Sequence, residues 1–286
     1  MSFCIDSETG VLRDVLLCRP EYFEWLATSD IARESISGQK GFSRGLALKQ
    51  HATLVEALEN ANVKCHFLEP DDGLPDLCWT RDSSQITPWG AVITKLSDVS
   101  RRRENSVLED YYHQQLQAVC QPHSTDRLEG GDIHIIQPGV LALGHSQNRT
   151  TEIGARKFAS AFIEQGWKVH FESVGERFVH LDVVFCMVAT TIALICLEAV
   201  SDEFVEFLES CKIELVDVHM KEVDLLACNC LALGDGKVIM GGKSFRAAEK
   251  LRVLGLEVIE LDMNMFSLAG GGVHCLTQPL RRDPVR

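Results

Sequence analysis

The sequence predicts an α/β fold in a single domain over residues 1–286, made of roughly five repeated units closed around a centre like blades. Three observations lead there. A pair of short apolar strands, an amphipathic helix and a further strand recur in that order along the chain. The repeats share pattern rather than sequence, and no linker or low-complexity segment interrupts them. A composition of 45% hydrophobic and 24% charged residues is that of an ordinary globular protein.

Residues 11–19, VLRDVLLCR, read as a buried first strand that ends at Pro20. Residues 21–43 mix aromatics, Ser and Gly without a period and read as a loop or short helix over the molecule, a candidate lid. Leu46, Leu48, Ala52, Leu54, Val55, Leu58 and Ala61 form a helical stripe, and a strand follows at 63–68. A strand pair near 84–95 precedes a helix at 104–119. A hairpin at 133–143 turns at Pro138-Gly139, with a helix at 150–165 and a strand at 168–172. The run 182–200, DVVFCMVATTIALICLEAV, has the length of a membrane span. Its β-branched residues, central Thr190 and Thr191 and flanking acids fit two buried strands joined by a turn. A helix at 202–210 and a strand at 214–218 complete that unit. The last hairpin, 231–241, turns at Gly234-Asp235-Gly236 and is followed by a helix at 244–254 and a strand at 257–261.

A formal net charge of −13 argues against nucleic-acid binding, where Lys and Arg must meet phosphate. It is compatible with steering a small cation. Eleven cysteines are scattered, and the start MSFCIDSETGVLRDVLL lacks the basic and apolar regions of a secretory signal. Free thiols in a cytoplasmic protein are therefore expected, with no membrane association. Cys228-Asn229-Cys230, placed on one face of a strand, lacks a second pair at zinc spacing, so no metal is expected.

Four stretches carry groups with chemical capability: 74–82, LPDLCWTRD; 128–132, LEGGD; 180–182, HLD; and 270–277, GGGVHCLT. A cysteine behind three glycines can be a nucleophile presented on a closely approaching loop. Together the four supply a thiol (Cys275), an imidazole (His180) and carboxylates (Asp76, Asp82, Glu129, Asp182). Carboxylates accept paired N–H bonds from a planar guanidinium, a thiolate can attack its carbon, and an imidazole can protonate the departing amine. The same carboxylates raise the thiol pKa by like-charge repulsion. Substrate binding, or a protonated His180, is expected to reverse that.

In this order, TRD, LEGGD, HLD and GGGVHC resemble the motifs of the guanidino-group-modifying superfamily. Its members include arginine deiminases, dimethylarginine dimethylaminohydrolases, agmatine deiminases and amidinotransferases. The resemblance covers residues 12–282. It implies a five-bladed α/β propeller (pentein) with the site on its axis, matching the five units. It also implies Cys275 as nucleophile, His180 as general acid and base, and Glu129 as the group that orients the histidine and holds the guanidinium. Asp82 and Asp182 would bind guanidinium nitrogens, Asp76 would contact substrate, and Arg101 and Arg149 would bind a carboxylate at the far end. The implied reaction passes through an S-alkylthiouronium without a cofactor, and a homodimer is compatible with it.

Chain length and the segments LKQHATLVEALENANV and NCLALGDGKVIM look like bacterial dimethylarginine hydrolases. Arg81 and Asp182 are deiminase-like, since those hydrolases typically carry an acid and a lysine there. Asp182 favours an unmethylated guanidine, because two N-methyl groups remove the donors it would meet. No arginine precedes Cys275 at 268–270, where deiminases usually have one. GGGVHCLTQP also resembles the loop of agmatine deiminases. The leading expectation is hydrolysis of arginine or a close derivative to a citrulline-type product and ammonia. Dimethylamine release from dimethylarginine, amidino transfer to an amine, and a non-catalytic arginine-binding module are the alternatives. Dihydrolases often have Asn in place of Asp82.

Overall fold

The computed structural model describes residues 3–115, 119–120, 126–242 and 244–285. Its first strand, β1 (Leu12–Cys18), is followed by α1 (Asp30–Ser37), α2 (Arg44–Asn60) and β2 (Lys64–Leu68). Ser43 starts α2 by accepting the Leu46 N–H, and the helix buries Ala47, Leu54 and Leu58 on one side. It returns the chain so that β2 lies parallel to β1. The next unit is β3 (Ser84–Thr87), β4 (Gly90–Ile93), α3 (Arg103–Gln115) and β5 (Val119–Cys120). Then come β6 (Ile133–Gln137), β7 (Val140–His145), α4 (Glu152–Glu164) and β8 (Lys168–Ser173). The fourth comprises β9 (Phe185–Ala189), β10 (Ile192–Ile195), α5 (Asp202–Ser210) and β11 (Glu214–Asp217). After α6 (Met220–Val223), the fifth comprises β12 (Leu231–Gly234), β13 (Lys237–Gly241), α7 (Phe245–Val253) and β14 (Glu257–Leu261). The chain ends with α8 (Asn264–Ser267) and β15 (Gln278–Arg282).

These strands make five three-stranded sheets. In each, an antiparallel pair is extended by a strand parallel to the middle one. The first sheet takes its outer strand from the far end of the sequence, as β15 pairs with β1. QPLRR does not read as a strand, because Pro279 removes a ladder donor. It is tolerated because β15 is an edge. The helix expected at 104–119 ends at Gln115 among the described residues, and Val119 belongs to a strand beside β4. That strand pairs backbone groups of β4 that a longer helix would leave unpaired; the expected helical residues 116–118 lie outside the described residues. The 182–200 run is the predicted strand pair, β9 and β10. No helix among the described residues is long and apolar enough to cross a membrane. Cys228 and Cys230 lie in the turn ahead of β12, not on a strand.

Hydrogen bonds join the segments that precede the antiparallel outer strand of each sheet into one ring. The Arg81 N–H donates to the Cys275 carbonyl (3.2 Å), and the Gly130 N–H to the Asp82 carbonyl (2.9 Å). The Leu181 N–H donates to Asp132 Oδ1 (2.8 Å). Asn229 Nδ2 reaches the Asp182 carbonyl (3.4 Å), and its Oδ1 accepts the Cys275 N–H (3.2 Å). Within residues 21–43, Ser29 caps α1 and donates its hydroxyl to the Ala269 carbonyl, while Trp25 donates to the Met265 carbonyl. The expected lid segment therefore rests on the loop ahead of Cys275.

Candidate active site

Four of the five sheets place chemistry at the same point, just ahead of the strand that pairs antiparallel with the middle one. Asp82 precedes β3, Glu129 precedes β6, His180 and Asp182 precede β9, and Cys275 precedes β15. All five side chains are buried, and all but Glu129 line one inner cavity together with Asp76, Arg101 and Arg149. The structure thus gathers all eight residues singled out from the sequence.

His180 Nε2 lies 2.7 Å from Glu129 Oε2, and the other Glu129 oxygen accepts the Ser97 N–H at 2.7 Å. His180 Nδ1 stands 3.7 Å from Asp82 Oδ1. Gly131 permits this packing, since a Cβ there would sit 2.5 Å from His180 Nδ1. Burial disfavours the imidazolium, but Asp132, Asp82 and Glu129 outweigh it and raise His180 to about 9. Burial also works against the Glu129 carboxylate, yet its hydrogen bond to His180 and the charges of His180 and Arg149 hold it well below the usual range. At neutral pH the two form an ion pair that leaves the Nδ1 proton free for another partner.

Cys275 Sγ lies 3.4 Å from Asp182 Oδ2 and accepts from Asn229 Nδ2 at 3.1 Å. Burial, then Asp182 and Asp82, push the thiol well above its ordinary pKa. Burial alone would raise Asp182, but its hydrogen bond with His274 Nδ1 (2.8 Å) and the charges of His274, His180 and His134 together outweigh it and bring it to about 2. Asp82 Oδ1 and Asp182 Oδ1 are both buried without a hydrogen-bond partner. Such acceptors are costly unless a donor arrives.

Arg101 departs from its expected place at a substrate carboxylate. It is buried, donating Nη1 to Asp82 Oδ2 (2.9 Å) and Nε and Nη2 to the two oxygens of Glu104 (2.8 and 3.0 Å). A guanidinium sunk among three carboxylates (Asp76 is the third charge acting on it) is committed to orienting Asp82. Asp76 accepts the Trp79 indole N–H (3.1 Å), and burial raises its pKa. Arg149 is paired more loosely. Its Nη1 lies 3.6 Å from Glu129 Oε2, its Nη2 donates to the Thr28 carbonyl, and it lines two adjoining chambers. The inner one, at the thiol, measures about 40 Å³, and the outer about 410 Å³. The inner chamber suits a planar head group and the outer one the rest of a longer molecule.

Among the described residues, two groups of side chains bring donor atoms within 4.8 Å of one another, Asp82–Glu129–His180 and Glu8–His134–His274. In the first, His180 and Glu129 already satisfy each other, and Arg101 and Arg149 supply positive charge. In the second, Glu8 pairs with His134 (3.3 Å) and feels the charge of Arg81. Fixed cations thus stand where a metal ion would have to compete. Several contributors were not singled out in the sequence: Glu104, Asp132, Asn229 and His274. Asp132 lies inside the LEGGD motif. Asn229 lies two residues ahead of a strand, as Asp82 does, and that offset was its only signal.

A buried thiol beside an imidazole–carboxylate pair is the constellation that the sequence motifs predict, and the family match and relatives below place the chain in the guanidino-modifying superfamily, among hydrolases of guanidino C–N bonds. The family described as N,N dimethylarginine dimethylhydrolase, eukaryotic, matches residues 19–282. The chain belongs to this family. An uncharacterised protein, YkgA, of Bacillus subtilis is 30% identical over 281 residues, covering 96% of this chain and 94% of its own length. The N(G),N(G)-dimethylarginine dimethylaminohydrolase of Pseudomonas aeruginosa is 28% identical, covering 81% of this chain and 87% of its own. The arginine deiminase of Rhodococcus erythropolis is 27% identical, covering 75% and 62%. Among solved structures, the Pseudomonas aeruginosa enzyme complexed with citrulline superposes with TM-score 0.79 at 24% identity, over 94% of this chain and 99% of the other. The substrate-bound N-terminal domain of ArgZ, a cyanobacterial arginine dihydrolase, gives 0.81 at 20% identity, over 94% and 98%. These likenesses carry the mixed α/β fold.

Proposed function

We propose that the protein hydrolyses the guanidinium of arginine or a close derivative to a citrulline-type ureido product and ammonia. The observation that carries this reading is the pair of buried, unpartnered carboxylate oxygens, Asp82 Oδ1 and Asp182 Oδ1, at the cavity that holds the thiol. Both need N–H donors, and an unsubstituted guanidinium offers them on each edge. Its charge offsets the two carboxylates that suppress ionisation of Cys275. The thiol proton is released to solvent as the cation binds, and the thiolate attacks the guanidinium carbon. His180, charged through its pairing with Glu129, gives its Nδ1 proton to the departing nitrogen, and ammonia leaves an S-alkylthiouronium on Cys275. His180 then takes a proton from water as the hydroxide adds to the same carbon; the C–S bond breaks as the adduct's hydroxyl proton passes to the departing sulfur, releasing the ureido product and restoring the thiol. Arg149, at the junction with the outer chamber, would meet a carboxylate at the far end. Asp76, through Trp79, would shape the rim.

The family match supports a second reading, dimethylarginine hydrolysis with loss of dimethylamine. Methylation removes donors on one edge and would leave one of the two carboxylates unmet. Arginine, mono- and dimethylarginine, agmatine and short guanidino acids, assayed for both ammonia and methylamines, separate the two. Ammonia from arginine is expected. Dimethylamine from dimethylarginine at a higher kcat/KM than ammonia from arginine refutes the first reading, and full turnover by Cys275→Ser refutes the nucleophile. The same reading takes the five sheets as blades of a five-bladed α/β propeller in one domain, with the ring of pre-strand segments on its axis. It takes residues 21–43 as a lid and the protein as cytoplasmic, with a homodimer as its assembly.

A further inference from the structure

We propose that Asn229 is the positioning residue of the nucleophile: its side-chain amide fixes the Cys275 backbone and donates a hydrogen bond to the sulfur as the thiol ionises and attacks. The inference rests on the reading of Cys275 as nucleophile. Four of the five sheets carry an acid, a histidine or the thiol just ahead of their antiparallel outer strand, and the remaining sheet carries Asn229 there. The residue is 1% exposed, so its amide must be satisfied inside the protein. It spends both ends on this site. Oδ1 accepts the Cys275 N–H at 3.2 Å, while Nδ2 donates to Sγ at 3.1 Å and to the Asp182 carbonyl at 3.4 Å.

These partners fix which end is which. Turning the amide over would set Oδ1 against the Asp182 carbonyl and Nδ2 against the Cys275 N–H. The Cys loop is built to receive it, since a Cβ on Gly272 would stand 2.7 Å from Asn229 Oδ1. The other polar side-chain atom near the sulfur, Asp182 Oδ2 at 3.4 Å, can hold the thiol proton but repels the thiolate. Asn229 acts in the opposite direction. A hydrogen bond to an anion is stronger than one to a neutral acceptor, so its bond to sulfur tightens on ionisation. Together the two contacts aim the sulfur, one before the proton leaves and one after. In accord with this, the Gly272 backbone and then the Asn229 side chain work against the rise in the Cys275 pKa.

The test uses the full chain with Asn229→Ala and Asn229→Asp. The aspartate keeps an acceptor for the Cys275 N–H but loses the donor to sulfur. Alkylation of Cys275 by iodoacetamide is followed against pH by peptide mass, alongside circular dichroism and kinetics with arginine. Both variants should shift the alkylation midpoint up by about 1–2 pH units and lower kcat about 10–100-fold, with KM nearly unchanged. In wild type, the Asn229 side-chain amide resonance should titrate with the same midpoint as alkylation, a readout independent of whether a variant folds. An unmoved midpoint in a folded variant, or an amide resonance that ignores thiol ionisation, overturns the proposal. If wild type turns over no guanidine, the functional reading fails while the alkylation result still decides the role of Asn229.

Discussion

Replacing Asp182 by Asn should make Cys275 more reactive and the enzyme less active. Asp182 Oδ2 lies 3.4 Å from Sγ and is the leading charge that, with burial, raises the thiol pKa. At that separation two unit charges interact by roughly 1 kcal/mol in water and about 5 kcal/mol at an effective dielectric of about 20. Removing the repulsion should lower the thiol pKa by roughly 1–3 units. Asp182 Oδ2 faces both His274 Nδ1 and the sulfur, so the amide can present its oxygen or its NH₂ at that position but not both. Iodoacetamide should therefore modify Cys275 at neutral pH at least about tenfold faster than in wild type. Turnover should fall by about 10²–10³, because a buried acceptor for the guanidinium is lost with its charge. The assay is peptide-resolved alkylation from pH 6 to pH 11 beside steady-state kinetics. An unchanged or raised alkylation midpoint would refute the account of thiol suppression, and unchanged turnover would refute the role of Asp182 in holding substrate.

Glu129→Gln removes the partner of His180 Nε2. The folded His180 value of about 9 exceeds the ordinary 6.5, so its share of stability is complete below pH 6.5 and is lost as pH rises through about 9. That share is about 3 kcal/mol, and urea unfolding at pH 6 and pH 9.5 should show a smaller difference in the variant than in wild type. Glu8→Gln addresses the acid side. Burial raises Glu8, but His134, His274 and Arg81 prevail and hold it at about 2 against an ordinary 4.5. Its stabilisation is present above pH 4.5 and lost as pH falls through about 2, so the variant should lose stability at pH 7 and show a shallower acid limb in thermal melts. Arg149→Ala should raise KM for arginine about 10–100-fold and leave hydrolysis of agmatine, which lacks the carboxylate, less affected; equal effects on both would place Arg149 in support of Glu129 alone.

The repeat was legible because each unit spells its parts locally. Strand pairs such as 133–143 carry their own turn, and helices such as α4 and α5 carry their own caps in Thr151 and Ser201. The closing strand β15 was not, because its partner β1 lies at the other end of the chain and neither local propensity nor alternation marks QPLRR. The reacting groups were legible as motifs, but their mutual commitments were not. Arg101 reads as a free cation in SRRRE, yet Glu104 one helical turn on and Asp82 from another segment take three of its five N–H groups. Asn229 shows the same limit from the other side. Between two cysteines that suggest metal or strand, its meaning lies in Cys275 and Asp182, brought to it only by the ring of pre-strand segments.

The site contains a contradiction that its substrate class resolves. On the proposed reading, the nucleophile is placed where burial and two carboxylates keep it protonated, and the acid catalyst where three carboxylates keep it charged. Taken in the empty site, the first arrangement works against attack. A guanidinium seated between Asp82 and Asp182 changes the balance at the sulfur, because it neutralises the charges that oppose ionisation while leaving the His180–Glu129 pair intact. Ionisation of Cys275 thereby becomes a consequence of binding the cation that it will attack. A neutral ligand of the same shape would leave the thiol protonated, and bulk oxidants would meet a buried thiol rather than a thiolate. On that reading, the carboxylates that weaken the nucleophile in the empty site provide its discrimination, and Asn229 would keep the sulfur aimed through the change of charge.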